Sequence, residues 1–445
     1  MTLKELKITY LATASLVPYV GNARRHSKRQ IQQIADGIRT NNFNNPIAIA
    51  RDLQVIAGHG RLEAAKLLGL ERVPTICLDH LSEAQRKAYA LADNKLALNA
   101  TWDLDLLAAE LASLGDLGYD LELTGFSTTE IDLTLEHARD ANPSREESRG
   151  GDSIPLLRDQ NVTRRCEVWM LGRHMLLCGD ARAPQHYEVV LNGQTANVVF
   201  CDPPYNVAVK GHVSGLGKIK HDEFAMASGE MTDDEFTAFL TTCMLAIAAS
   251  CKDGAIVFTC IDWRGMDKLL EAGKRAFTEL KQLCVWRKTN AGMGTFYRSR
   301  HELVFVYKVG TAAHTNNFGL GDTGRYRTNV WDYPGISSLG GKRAEEQARH
   351  PTPKPVAMVA DAIRDCSRRN EIVLDPFGGS GSTLIAAEIC GRSARLIEYE
   401  PKYCDVIVRR YEEFTGKQAV LKSTGQTFEE VAGERLSPDP KVANG

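Results

Sequence analysis

The sequence predicts an α/β protein organised on a central, mostly parallel sheet. Three observations predict it. From about residue 160 to 420, apolar strand-like runs alternate with helical segments. Two of those runs, NVVFC before Asp202 and EIVL before Asp375, are continuously apolar and end in an acid and a turn, as strands buried on both faces do. The length of 445 residues suits two or three domains rather than one.

In chain order, residues 1–100 read as a small α/β unit. IQQIADGIRTNNF from Ile31 has helical periodicity, and PIAIARDLQVIAGHG from Pro46 reads as two short strands around a turn at Arg51 and Asp52. RLEAAKLLGL from Arg61 is helical and stops at Gly69, and VPTICLDHL from Val73 returns to strand. Residues 101–155 read as a helical linker: LDLLAAELASL and TTEIDLTLEHARD are helical, and NPSREESRGGDS from Asn142 is a polar boundary. Residues 156–420 form the large α/β domain, and 421–445 a polar tail.

Composition narrows the function. A 43% hydrophobic and 25% charged chain is an ordinary globular one. It has no apolar run of membrane-spanning length, and the start MTLKELKITY has no signal-peptide pattern, so a cytoplasmic location without membrane association is expected. The 11 cysteines contain no CxxC pair, which predicts reduced thiols and no metal site. A net charge of −2 gives no global support to nucleic-acid binding, so local clusters must carry that argument. One such cluster runs from Lys281 to Lys308, with six basic residues, the single acid Glu302 and interleaved aromatics. It suits backbone phosphates and stacked bases, and equally suits a solvated strand pair.

The first chemical motif is Asp202-Pro203-Pro204-Tyr205. An exocyclic base amine is a poor nucleophile because its lone pair is delocalised into the ring. Acceptors on both amine hydrogens localise that pair. The Asp202 carboxylate and the Pro203 carbonyl are a natural couple, and two prolines stiffen the turn that carries them. Preorganised acceptors also stabilise positive charge developing on the nitrogen. Tyr205 offers a flat face for a base drawn out of a duplex.

The second motif is Asp375-Pro376-Phe377-Gly378-Gly379-Ser380-Gly381-Ser382-Thr383, between the strand EIVL and the helix TLIAAEIC. Glycines at a strand-to-helix turn admit a ligand close to the backbone. Neither a dinucleotide GxGxxG nor a P-loop GK[ST] ending is present, and no lysine awaits phosphates. A nucleoside without a phosphate chain is the better guest. Glu398, 23 residues after Asp375, ends the next strand, where an acid can bridge ribose hydroxyls.

Together these motifs resemble the β-group of DNA amino-methyltransferases, in which a DPPY or SPPY tetrad precedes the cofactor loop with target-recognition sequence between them. The order here is DPPY at 202, the basic aromatic stretch, HPTPKP at 350 and DPFGGSGST at 375, and the likeness spans about 160–415. It implies a Rossmann-like methyltransferase that is site-specific, uses S-adenosyl-L-methionine and acts on double-stranded DNA. Target recognition would fall within about 206–349. Asp202, Pro203, Pro204 and Tyr205 would be catalytic. Asp375, Phe377, Gly378, Gly379, Ser380, Gly381 and Thr383 would hold the cofactor, with Glu398 (or Glu400) at its ribose and Thr352 and Lys354 closing over its methionine end. Gly379 and Ser382 stand where Ala and Thr are commoner, and both changes reduce bulk. An aspartate at the head of the tetrad favours adenine, with 4-amino methylation of cytosine as the alternative.

Arg287, Lys288, Arg298 and Arg300 are the expected DNA contacts, with Arg325 and Arg327 as further candidates. Lys210, His212, Lys218, Lys220 and His221 mark a glycine-bearing loop that could close over the flipped base. A cognate restriction enzyme is a candidate partner, and a solitary enzyme is equally open. The N-terminal unit resembles a ParB-like domain through NARRHSKRQIQQIADGI and VIAGHGRLEAAKLLG, but its box Gly58-His59-Gly60-Arg61 keeps one arginine. Three roles stay open for it: an accessory DNA contact, a nucleotide-binding regulator, or a scaffold. A DNA-binding module as the main activity, and methylation of RNA or a protein glutamine, are the competing functions.

Overall fold

The computed structural model describes residues 5–140, 151–158, 160–206, 229–291, 296–321, 324–335 and 353–436. The chain divides into two compact units near residue 141.

The first unit contains β1 (Ile8–Ala12), α1 (Lys28–Asn41), β2 (Ile47–Ile49), β3 (Val55–Ala57), α2 (His59–Leu67), β4 (Arg72–Cys77), α3 (Glu83–Leu96), α4 (Leu104–Asp116) and α5 (Thr128–Asp140). Its sheet runs β1-β4-β2-β3, with β2 and β3 antiparallel around the Arg51-Asp52 turn. Leu16, Ile47, Ile49, Val55, Leu62 and Val73 pack between sheet and helix. Ser27 caps α1 by accepting from the Gln30 amide, which satisfies an otherwise orphaned N–H.

The second unit contains β5 (Val168–Leu171), β6 (His174–Cys178), α6 (Pro184–Leu191), β7 (Ala196–Cys201), α7 (Asp233–Ala249), β8 (Cys251–Ile261), α8 (Met266–Ala276), β9 (Glu279–Arg287), β10 (His301–Lys308), β11 (Val330–Asp332), α9 (Val356–Cys366), β12 (Ile372–Asp375), α10 (Ser382–Cys390), β13 (Ser393–Glu398), α11 (Pro401–Thr415), β14 (Val420–Leu421) and α12 (Phe428–Leu436). Among the described residues, ten strands form one sheet in the order β11-β9-β10-β8-β7-β12-β13-β6-β5-β14. The five central strands, β8-β7-β12-β13-β6, are mutually parallel, while β10 and β5 run against them. The expected mostly parallel α/β sheet is therefore present.

Alternation explains the apolar runs. Val198 and Phe200 of β7 face one core with α9, α10 and α11, while Val199 and Cys201 face the other with α6, α7 and α8. Each central strand is covered on both sides, so its positions are mostly apolar. The order also creates a switch point. From β7 the chain moves to β8 on one side, whereas β12 leads to β13 on the other. Ligands of open α/β sheets sit at the carboxyl ends of strands flanking such a switch.

Candidate active site

Asp202 follows the last residue of β7, and Asp375 is the last of β12. The two strands are hydrogen-bonded neighbours with Leu374 opposite Val199, so both turns leave the sheet at one edge, side by side.

The tetrad turn is tightly held. The Tyr205 hydroxyl donates to Asp202 Oδ1 at 2.7 Å and also lies 3.0 Å from Glu302 Oε2. Asn206 adopts a left-handed conformation (φ 53°), tolerable for asparagine. Its side chain clasps the Met231 carbonyl at 2.7 Å and accepts from the Gly229 amide at 3.0 Å. Lys354 Nζ donates to Asp202 Oδ2 at 2.5 Å and lies 3.2 Å from Glu302 Oε2. Lys288 Nζ pairs with Glu302 Oε1. The Lys354 ammonium is 5.4 Å from the Tyr205 ring centroid and 5.9 Å from that of Trp286. Burial pushes the Asp202 carboxyl above its ordinary range, with the Lys354 charge as the main opposing influence. Burial would likewise raise Glu302, but Lys354 and Lys288 outweigh it and hold that acid down at about 2.

At the neighbouring turn, Gly381 has φ 84° and opens α10, and a Cβ there would sit 3.2 Å from Ile407. Gly378 is confined by Ile407 in the same way, at 3.1 Å. The Asp375 carboxylate accepts from the Phe377 amide at 3.0 Å and is hydrogen-bonded by Thr383. Glu398 accepts from the Gly379 amide at 2.7 Å and from the Glu400 amide at 2.8 Å. Burial pushes Asp375 up to about 8 and Glu398 up to about 7. Glu400 instead lies 3.8 Å from Arg165. Arg410, buried behind the turn, donates to the Ser380 carbonyl at 2.8 Å. These residues suit an uncharged nucleoside: an acid beside backbone amides, glycines where a side chain would collide, and no phosphate-binding lysine.

The remaining expected residues scatter. Thr352, Lys210, His212, Lys218, Lys220 and His221 lie outside the described residues. Lys354, expected at the methionine end of a cofactor, is found on the Asp202 carboxylate. Since β9 is parallel to β8 and β7 through the antiparallel β10, Arg287 and Lys288 emerge at the same edge as Asp202. Arg287 is exposed and pairs with Asp332. Arg298 and Arg300 line an open cleft with Thr289, Asn290 and Ala291. Phe296 and Tyr297 beside them are exposed, their ring centroids 4.6 Å apart. Arg325 and Arg327 must be struck from the DNA candidates. Both turn inward, with Arg325 3.0 Å and Arg327 2.8 Å from Asp365, and both also reach Asp361 of α9.

Three residues of the site lie outside the sequence motifs. Glu302 has one signal in the sequence, as the single acid in a basic stretch. Asn206, directly after the tetrad, and Arg410 carried none. In the N-terminal unit, His59 Nε2 accepts from the Tyr19 amide at 3.2 Å, and burial, followed by the nearby His26, lowers its pKa. Gly58 caps α2 with φ 100°.

Three family models match the chain: a DNA methylase over residues 196–409, a ParB N-terminal domain over 2–95, and a ParB-methyltransferase HTH domain over 105–165. The last includes α4 and α5, within the segment expected to be a helical linker. The chain is 39% identical over 84 residues to the ParB-like nuclease domain-containing protein YnaK of Escherichia coli, covering 19% of this chain and 97% of that protein. It is 36% identical over 89 residues to the type II methyltransferase M.ScaI of Streptomyces caespitosus, covering 20% of this chain and 29% of that one. It is 25% identical over 241 residues to the type II methyltransferase M.HinfI of Haemophilus influenzae, covering 49% of this chain and 64% of that one.

Proposed function

Because residues 196–409 belong to the N6/N4 DNA methylase family, behind a ParB N-terminal domain, we propose that the chain methylates the 6-amino group of adenine in a flipped-out base of double-stranded DNA. At the coarser level it is an S-adenosyl-L-methionine-dependent DNA methyltransferase of the N6/N4 family. The observation that carries the proposal is the placement of the Asp202 and Asp375 turns on adjacent strands at the switch point.

S-adenosyl-L-methionine supplies an electrophilic methyl group. The residues to hold it are Glu398 at the ribose, the Gly378–Gly381 turn against the nucleoside, and Asp375 with Phe377 beside them. Asp202 accepts one amine hydrogen and the Pro203 carbonyl the other, which localises the lone pair. Tyr205 is held at Asp202 by its hydroxyl and presents its ring to the base. The open cleft with Arg298 and Arg300 and the exposed Phe296 and Tyr297 supports a DNA contact along the same edge. The aspartate at the head of the tetrad supports adenine over cytosine. The HTH match next to the ParB domain supports accessory DNA contact as the role of the N-terminal region. A cognate restriction enzyme is proposed only as an optional partner.

The test is to incubate the full chain with DNA and labelled cofactor, digest the product and identify the nucleoside. N6-methyladenine is expected. N4-methylcytosine would replace the target base, and label found only in RNA or protein would overturn the DNA assignment.

A further inference from the structure

The Asp202 carboxylate has a conflict. As the acceptor for a base amine it needs a lone pair aimed at the substrate. In the structure one oxygen takes the Tyr205 hydroxyl at 2.7 Å and the other takes Lys354 Nζ at 2.5 Å. Each oxygen keeps a second lone-pair direction, but an ammonium this close draws on the same negative charge that must polarise the base amine, so Lys354 weakens Asp202 as the substrate's acceptor. Lys354 cannot simply be dispensed with, since a buried carboxylate without a counter-ion takes up a proton and ceases to accept.

Glu302 resolves the conflict. Its Oε2 already lies 3.2 Å from the same ammonium. The groups facing Asp202 are Cys201 of β7, Tyr205 of its own turn, Cys260 of β8, Glu302 of β10, Lys354 ahead of α9 and Asp375 of β12, while Lys288 after β9 pairs with Glu302. Asp202 and Glu302 balance Lys288 and Lys354, so moving Lys354 between the two acids leaves the cluster neutral. The aromatic walls of Tyr205 and Trp286 attract the ammonium along the way, 5.4 and 5.9 Å from its nitrogen. Lys288 keeps Glu302 ionised and hence ready to receive it.

We propose that Lys354 is a mobile counter-ion that shifts from Asp202 to Glu302 when the base amine enters, and that Glu302 and Lys354 are positioning residues for the catalytic carboxylate. This rests on Asp202 being the amine acceptor. It separates Lys354 from a role at the cofactor's methionine end.

The test compares Glu302→Gln and Lys354→Met in the full chain, with melting curves to establish folding. Removing the Glu302 charge strands Lys354 on Asp202, so kcat/KM for DNA should fall at least about tenfold. It also removes a negative neighbour that raises the Asp202 pKa, so the acidic limb of the profile moves down by about one pH unit. Lys354→Met removes the cation that lowers it, so that limb moves up. Cofactor affinity by calorimetry should stay within about threefold of wild type in both. Opposite pH displacements are not produced by simple destabilisation. Unshifted limbs, or limbs moving together, overturn the proposal. So does an unshifted Glu302→Gln beside a Lys354→Met that loses cofactor binding. If Lys354→Met does not fold, the Glu302→Gln displacement alone decides. An active Asp202→Ala would sink the underlying reading, whereas an inactive Asp202→Ala beside an unaltered Glu302→Gln sinks only this inference.

Discussion

Replacing Asp202 by Asn keeps the size of the side chain and removes its charge. The neighbourhood tolerates this, because Lys354 retains Glu302 at 3.2 Å and Glu302 retains Lys288. No buried ion is left without a partner, so the fold persists. The amide carbonyl still accepts one amine hydrogen, but the negative charge that stabilises the cationic nitrogen is gone. The cluster instead carries one excess positive charge facing that nitrogen. Removing one preorganised electrostatic partner typically costs about 3–4 kcal/mol of transition-state stabilisation, or roughly 10²–10³ in kcat. Single-turnover transfer of a labelled methyl group to DNA measures the loss, and calorimetry with S-adenosyl-L-methionine reports the cofactor site separately. We expect kcat to fall by about that factor while the cofactor Kd changes by less than about threefold. A variant retaining more than about a third of the wild-type rate refutes the electrostatic role of Asp202. A variant losing cofactor affinity in step with rate moves the residue to the other side of the reaction.

Glu398 is held near 7 by burial, so part of the free enzyme carries a proton there. Ribose hydroxyls donating to the carboxylate favour its ionised form, so binding lowers the pKa, releases about half a proton at pH 7 and strengthens from pH 6 to 8. Calorimetry in buffers of different ionisation heat checks this, and a pH-independent affinity refutes it. Gly381→Ala places a Cβ 3.2 Å from Ile407 at φ 84°, and should lower the stability of the methylase unit by about 1–2 kcal/mol in a denaturant titration. Asp365→Ala leaves Arg325 and Arg327 buried with only part of their compensation, and should cost about 3–5 kcal/mol without altering which DNA sequence is methylated. A changed sequence preference would restore the two arginines as DNA contacts.

The parts of the architecture legible in the sequence are those written in contiguous residues. Strands covered on both faces give the unbroken runs around Val198 and Val373, and the turns after them carry proline and glycine because their geometry demands it. Long-range pairing leaves weaker marks. Glu302 meets Tyr205 across 97 positions, and only the strand order brings β10 near β7. Arg325 and Arg327 look the same in sequence whether they face DNA or two aspartates. The signal that could have separated them lies in α9, where Asp361 and Asp365 stand four residues apart on a mostly apolar helix whose one cation, Arg364, pairs with Asp361. Two acids on one helical turn in a buried setting need cations, and the nearest unassigned cations are those arginines. The ion pairs of Lys354 are hidden in the sequence for a related reason. Its motif describes the neighbours along the chain, while its ion pairs depend on where the segment before α9 crosses the sheet edge.

The strand order also explains why two ligands can share one edge without competing for it. Everything after β7 up to β11 extends the sheet on the β8 side, and everything from β12 to β13 extends it on the other. The basic and aromatic residues between β9 and β10 therefore approach Asp202 from one direction, while the glycine turn and Glu398 approach from the opposite one. A side chain at the end of β7 is the last of the first group, and one at the end of β12 is the first of the second. On the proposed reading, that junction places a DNA-facing carboxylate and a nucleoside-facing turn about one strand spacing apart, roughly 5 Å, the order of distance over which a methyl group can pass directly between two ligands. Moving either motif to a strand that is not a neighbour of the other's would add at least one further spacing. The proposed reaction is thus tied to the switch point by geometry, and on that reading the surrounding segments are free to vary in what sequence they recognise.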